Sequence, residues 1–184
     1  KVNRTGNIAL FYSGKFCDNK QFPNKVRING VNKTNEISTH YINSINDNIE
    51  LLYQDPPSSV QCLFKDCSDI IEIDFSNFDS TNLKDMTNMF QDCSSLISIN
   101  FNNFSTSKVT LMIGVFYRCL SLTSLDLSNF DTSNVNLMHE LFYQCSSLIF
   151  LNLSNFNTKN VQNMAQMFFL CTKLSLLDLS SFNL

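Results

Sequence analysis

The chain has 184 residues and a formal charge of −3, with 43% hydrophobic and only 16% charged residues, so it is long enough to bury a sizeable core in one or two domains. Its basic residues form no stripe, which argues against nucleic acid as a partner. No apolar run reaches the roughly eighteen residues that a membrane span requires.

Residues 1–59 do not repeat, and they carry seven Lys/Arg against five acids, whereas 60–184 carry six against eleven. "NIALFYS" and "NIELLYQ" read as strands. "KVRINGVNKTN" places Asn29-Gly30 between β-type residues, the signature of a tight type I′ hairpin. A small β-rich capping region is expected here, covering the apolar edge that the first unit of a stack would expose. "DPPSS" at 55–59 marks its junction with the rest of the chain. The chain starts without an initiator Met or a signal peptide, so it is expected to be a processed or trimmed piece.

From residue 60 onward the sequence repeats. Cysteines fall at 67, 93, 119, 145 and 171, each 26 residues after the last, with no gap or insertion. Within a unit, Leu122, Leu125 and Leu127, and again Leu148, Leu151 and Leu153, form L-x-x-L-x-L, whose last two leucines alternate as a short strand requires. Phe follows at 78, 104, 130, 156 and 182. Then come Val135, Met138, Leu141, Phe142 and Cys145, an apolar stripe with the spacing of a short helix. "DTSNV" ahead of it offers side-chain oxygens to cap helical N–H groups. One strand and one helix per unit cannot bury their own apolar side, so the expected fold is an α/β solenoid. This is a leucine-rich-repeat-like, right-handed stack of strand–helix units over 60–184, its last unit incomplete, with the β-rich cap at 1–59.

The repeat "L-x-x-L-x-L-S-N-F-D-T-S-N-V-x-x-M-x-x-M-F-x-x-C" resembles the BspA-like leucine-rich repeat, the 26-residue surface-protein repeat, over about residues 60–184. It departs from ordinary leucine-rich repeats in placing Phe where they carry a ladder Asn. The resemblance implies an extracellular or cell-surface setting and an adhesive role. It carries over no catalytic residue.

Five of the seven cysteines are set by the repeat and read as small buried hydrophobes. Cys17 and Cys62 lie off register and are the candidates for a disulfide that staples the cap to the first unit. "CLFKDC" has no second cluster to complete a zinc site. On a helix His139 and Cys145 would lie on nearly opposite faces, and four glycines form no phosphate-cradling loop. No enzyme activity and no cofactor is therefore expected.

The strand face holds the candidate binding residues. Asp74, Asn100, Asp126, Asn152 and Asp178 stand seven residues after each cysteine, in an outward row where alternation with Asn doubles the distance between carboxylates. That row is weighed as a ligand or Ca²⁺ face against a solvated edge. Two residues earlier, Glu72, Ser98, Ser124, Phe150 and Leu176 grow more apolar along the chain, and Phe150 beside Leu176 makes a modest patch for a partner. Asn77, Asn103, Asn129, Asn155 and Ser181 are expected to satisfy turn backbone of the next unit. Glycosylation sequons occur at Asn3, Asn32, Asn103 and Asn152, and Asn3 and Asn32 are the expected acceptors. The reading is a non-enzymatic surface or secreted domain that binds a protein or glycan ligand on another molecule or cell surface, with self-association open to it. The alternative is a structural spacer within an extended extracellular array or filament.

Overall fold

A computed structural model describes residues 1, 6–9, 23, 25–28, 31–33, 39–42 and 49–183. Five short strands precede the repeats: β1 (Gly6–Ala9), β2 (Lys25–Ile28), β3 (Val31–Lys33), β4 (Thr39–Ile42) and β5 (Ile49–Leu52). They pair antiparallel in two small sheets, β1–β4 and β3–β2–β5. Ile28 stands opposite Val31, so β2 and β3 form a hairpin across two residues; Asn29 and Gly30 themselves lie outside the described residues. Residues 7–9 of β1 and 49–52 of β5 fall within the two segments read as strands.

Each repeat then contributes one strand: β6 (Glu72–Asp74), β7 (Ser98–Asn100), β8 (Ser124–Leu125), β9 (Phe150–Asn152) and β10 (Leu176–Asp178). β6 pairs with β7, and β8, β9 and β10 pair in order, all parallel and all offset by 26 residues. A second parallel ladder of single bridges runs through Ser59, Asp85, Leu111, Leu137 and Asn163 with the same offset. The repeats thus lie on one another as coils in register.

The expected helices do not form. Among the described residues there is no helix at all, so the strand–helix α/β solenoid is corrected to stacked coils of short parallel strands and turns. The reason lies in where the backbone donors point. Met89, Gln91 and Cys93 N–H bond to the carbonyls of Met86, Asn88 and Phe90, three residues back. Meanwhile the N–H groups of Met86, Asn88, Phe90 and Asp92 bond to Leu111, Ile113, Val115 and Tyr117 of the next coil at 2.8–3.0 Å. An α-helix would need those donors for its own carbonyls. Two residues at matching places in each coil also take positive φ, among them Asn88, Asp92, Gly114 and Asp66. One such residue ends a helix. A Cβ on Gly114 would stand 2.5 Å from Asn88 Oδ1, so a larger residue there would have to displace that side-chain oxygen. Apolar spacing of three and four residues serves a chain of tight turns as readily as a helix.

The core consists of columns. Phe64, Phe90, Phe116, Phe142 and Phe168 stack face to face with centroids 5.4–5.8 Å apart. Phe78, Phe104 and Phe130 form a second column at 5.7 and 6.1 Å. Leu122, Leu125, Leu127, Leu148, Leu151 and Leu153 are buried between them, as the alternation implied. The N-terminal segment meets the first coil: Leu51 packs on its core, the Tyr53 and Phe78 rings meet edge-on at 5.6 Å, and Ile71 N–H donates to Lys1 O.

Candidate functional site

The outward row is first a piece of backbone chemistry. Asp74, Asn100, Asp126, Asn152 and Asp178 each accept, through Oδ1, the N–H of the residue two positions on at 2.8–3.0 Å. Each therefore closes the turn that ends its strand. Asn100 Nδ2 also donates to Asp74 Oδ1 at 3.0 Å, so two neighbouring coils share one carboxylate oxygen. Accepting the backbone N–H groups of Ser76, Ser128 and Ser180 holds Asp74, Asp126 and Asp178 below the usual carboxylate range. Among the described residues no three His, Cys, Asp or Glu side chains converge as metal ligands would.

Glu72 is engaged: its carboxylate pairs with Lys1 Nζ at 2.7 Å, and its carbonyl accepts from the terminal amine, also at 2.7 Å. Phe150 and Leu176 stand opposite each other in the β9–β10 register and are 44% and 62% exposed. Ile149, immediately before Phe150, and Ile97 are half exposed as well. The sequence reading missed those two. Their column runs Ile71, Ile97, Thr123, Ile149, Ser175, and a position that accepts Thr and Ser as readily as Ile is not a core position. Beside Phe150 lies a shallow hollow of about 360 Å³, floored by Leu125 and Leu127 and rimmed by Asp126, Asn152 and Asn155.

The asparagine column ties coils together, although its partners lie in the preceding coil and not the next one. Asn129 Nδ2 donates to Phe101 O at 2.8 Å, and Asn155 Nδ2 reaches Leu127 O at 2.9 Å and Phe130 O at 2.8 Å. Ser181 Oγ continues the pattern to Leu153 O at 2.9 Å. "DTSNV" caps no helix. Instead Thr106, Thr132 and Thr158 are buried, and each hydroxyl both donates to and accepts from one residue of the following coil. Thr132 Oγ1, for example, donates to Asn157 O at 3.1 Å and accepts Asn157 N–H at 2.7 Å.

The repeat cysteines are free thiols, buried except for the half-buried Cys171. Sγ of Cys93, Cys119, Cys145 and Cys171 donates to the carbonyl of the stacked Phe in the preceding coil at 3.0–3.2 Å. Desolvation pushes the thiols of Cys93, Cys119 and Cys145 well up from their ordinary value and raises that of half-buried Cys171 as well, which keeps them protonated at neutral pH. Cys62 is disulfide-bonded; Cys17, its expected partner, lies outside the described residues. Asn3 also lies outside them, and Asn32 falls in β3. Of the other sequons, Asn103 spends its Nδ2 on Ser76 O, whereas Asn152 is exposed and its Nδ2 has no partner among the described residues.

The family model described as "Mycoplasma protein of unknown function, DUF285" matches residues 58–182, the whole run of stacked coils. The chain belongs to this family. No curated protein and no solved structure matches it. For the DUF285 stack, no helix among the described residues is long and apolar enough to cross a membrane.

Proposed function

We propose that this DUF285 chain is a non-enzymatic binding domain of the BspA-like kind, acting at the cell surface or outside the cell. In this reading the strand side of the stack holds a protein or glycan ligand carried by another molecule or cell. The observation that carries it is the pair Phe150 and Leu176, large apolar side chains set opposite each other on neighbouring strands and left exposed. Exposed apolar groups set side by side cost solubility, and a partner that covers them recovers that cost. The adjoining hollow and the Asp126 and Asn152 side chains supply the polar rim by which a ligand is oriented. The alternative, a spacer within an extended array, draws support from the coil junctions, which repeat in one register.

The test is adhesion of beads coated with the chain to a monolayer of cultured animal cells, compared with beads coated with the double variant F150K/L176K. A loss of binding of about tenfold or more, with the melting temperature unmoved, supports the reading. Equal adhesion by both proteins would remove the strand face from it.

A further inference from the structure

Phe150 is placed differently from the column rings. Phe116, Phe142 and Phe168 lie ring on ring, whereas Phe150 has no ring partner among the described residues. It belongs to β9, the middle strand of β8–β9–β10, so a coil lies on each side of it. Leu176 stands opposite it on one side and Ser124 on the other. Ser124 is too small to cover the ring. The hollow of about 360 Å³ opens on that side, with Ser124, Asp126, Phe150 and Asn152 in its lining.

Asp126 and Asn152 follow two residues after Ser124 and Phe150, so all four side chains leave the same face of the strands. Both are exposed, and each spends one oxygen on its own turn. Asp126 Oδ1 accepts Ser128 N–H and Asn152 Oδ1 accepts Ser154 N–H, both at 3.0 Å. A carboxylate has about four acceptor positions, so Asp126 keeps acceptor capacity at the hollow. Asn152 Nδ2 keeps two N–H groups with no partner among the described residues. Two coils earlier the matching pair is spent on itself, since Asn100 Nδ2 donates to Asp74 Oδ1 at 3.0 Å. There Glu72 and Ser98 stand where Ser124 and Phe150 do, so no ring is present.

An aromatic ring, an acceptor and a donor thus meet at one hollow, and a sugar fits that combination. A pyranose has an apolar face of C–H groups that packs on a ring, edged by neighbouring hydroxyls that both donate and accept. An extended peptide finds less to hold, because β9 is paired on both edges and offers no strand edge to add to. An acidic sugar would bring like charge to Asp126. Taking the strand face as the binding face, on which this step rests, we infer that the hollow is a subsite for a neutral pyranose of a partner's glycan. Its C–H face lies on Phe150. Of two adjacent hydroxyls, one donates to the Asp126 carboxylate and the other accepts from Asn152 Nδ2.

The experiment follows the amide NMR spectrum of the isotope-labelled chain during titration with methyl glycosides of glucose, galactose, mannose and N-acetylneuraminic acid. Each is taken to about 50 mM, because so small a ligand on an open hollow binds with a Kd of about a millimolar. At least one neutral sugar is expected to shift the amides of Ser124, Asp126, Phe150 and Asn152 and to leave Asp74 and Asn100 unmoved. The acidic sugar should shift none of them. Asn152→Asp keeps the turn oxygen and removes the donor, and should weaken the neutral sugar about tenfold. Phe150→Ala should abolish its binding at an unchanged melting temperature. The inference is overturned if no neutral sugar shifts these amides, or if the acidic sugar binds as well. A second arm treats the cell monolayer of the adhesion test with periodate, which cleaves the bond between adjacent hydroxyl-bearing carbons, and loss of adhesion is expected. Adhesion that survives periodate yet falls with F150K/L176K would overturn the sugar and leave the strand face as the binding site. Failure of the strand-face reading itself looks different, with equal adhesion by parent and F150K/L176K beads, and the inference falls with it.

Discussion

Phe142 and Phe168 hold the same place in successive repeats, and so do Leu153 and Leu179, yet their surroundings differ. Phe142 and Leu153 are fully buried, whereas Phe168 is partly open and Leu179 is 37% exposed. Cys145 and Cys171 differ in the same way. The residues are alike, and what separates the middle coils from the last one is whether a later coil lies on top. Burial in this molecule belongs to the junction between coils more than to any single repeat, as expected where each unit contacts only its neighbours.

The sharpest test replaces the same column residue in both places. Phe142→Ala is expected to cost ~3–5 kcal/mol, because it removes a ring stacked on both sides. Phe168→Ala, stacked on one side only, should cost less than half of that, roughly 1–2 kcal/mol. Equal losses in denaturant melts would show that burial is not supplied by the next coil. Thr132→Val comes next, since it strips Asn157 of both partners of its backbone groups inside the stack; a loss of about 2–3 kcal/mol is expected. Ser124→Ala, on the exposed strand face of the same repeat, should stay within about 0.5 kcal/mol of the parent. Asn155→Ala unties contacts to two part-buried carbonyls and should cost about 1–2 kcal/mol. Ser181→Ala, with one such bond on the last coil, should cost less than 1 kcal/mol, or about half as much.

The smallest effect is one of pH. Asp126 is held below its usual range by the N–H of Ser128, so the folded state favours its ionised form. Its contribution is complete above the unfolded value near ~3.9 and fades as acid protonates the folded carboxylate. Asp126 is almost fully exposed, so the change should be small. Thermal melts between pH 6 and pH 2.5 should show Asp126→Asn losing less on acidification than the parent. An identical acid response in both proteins would mean that the turn does not depend on the charge.

The period, the alternation of Leu125 with Leu127 and the inward set of Phe, Leu and Cys were all legible, because an apolar residue repeated at a fixed interval has to be buried at each one. The outward positions of Phe150 and Leu176 followed from the same alternation. The turns were written too, in Asn88 above Gly114 and in Asp66 above Asp92, residue types that tolerate positive φ. The apolar stripe with helical spacing points the other way. The roles of the Asp/Asn row and of Thr132 were not legible, because an oxygen two residues from an N–H and one a coil away look identical in a linear sequence.

By itself the sequence determined that the chain stacks on its own repeat, which residues face inward and that the repeat cysteines are core, since these follow from periodicity and transfer out of water. Only the tertiary structure decided between helix and turn, because the backbone donors of each coil find better-placed acceptors in the next coil than in their own segment. It alone also decided which copies of a repeated residue stay exposed, since that depends on what lies above them.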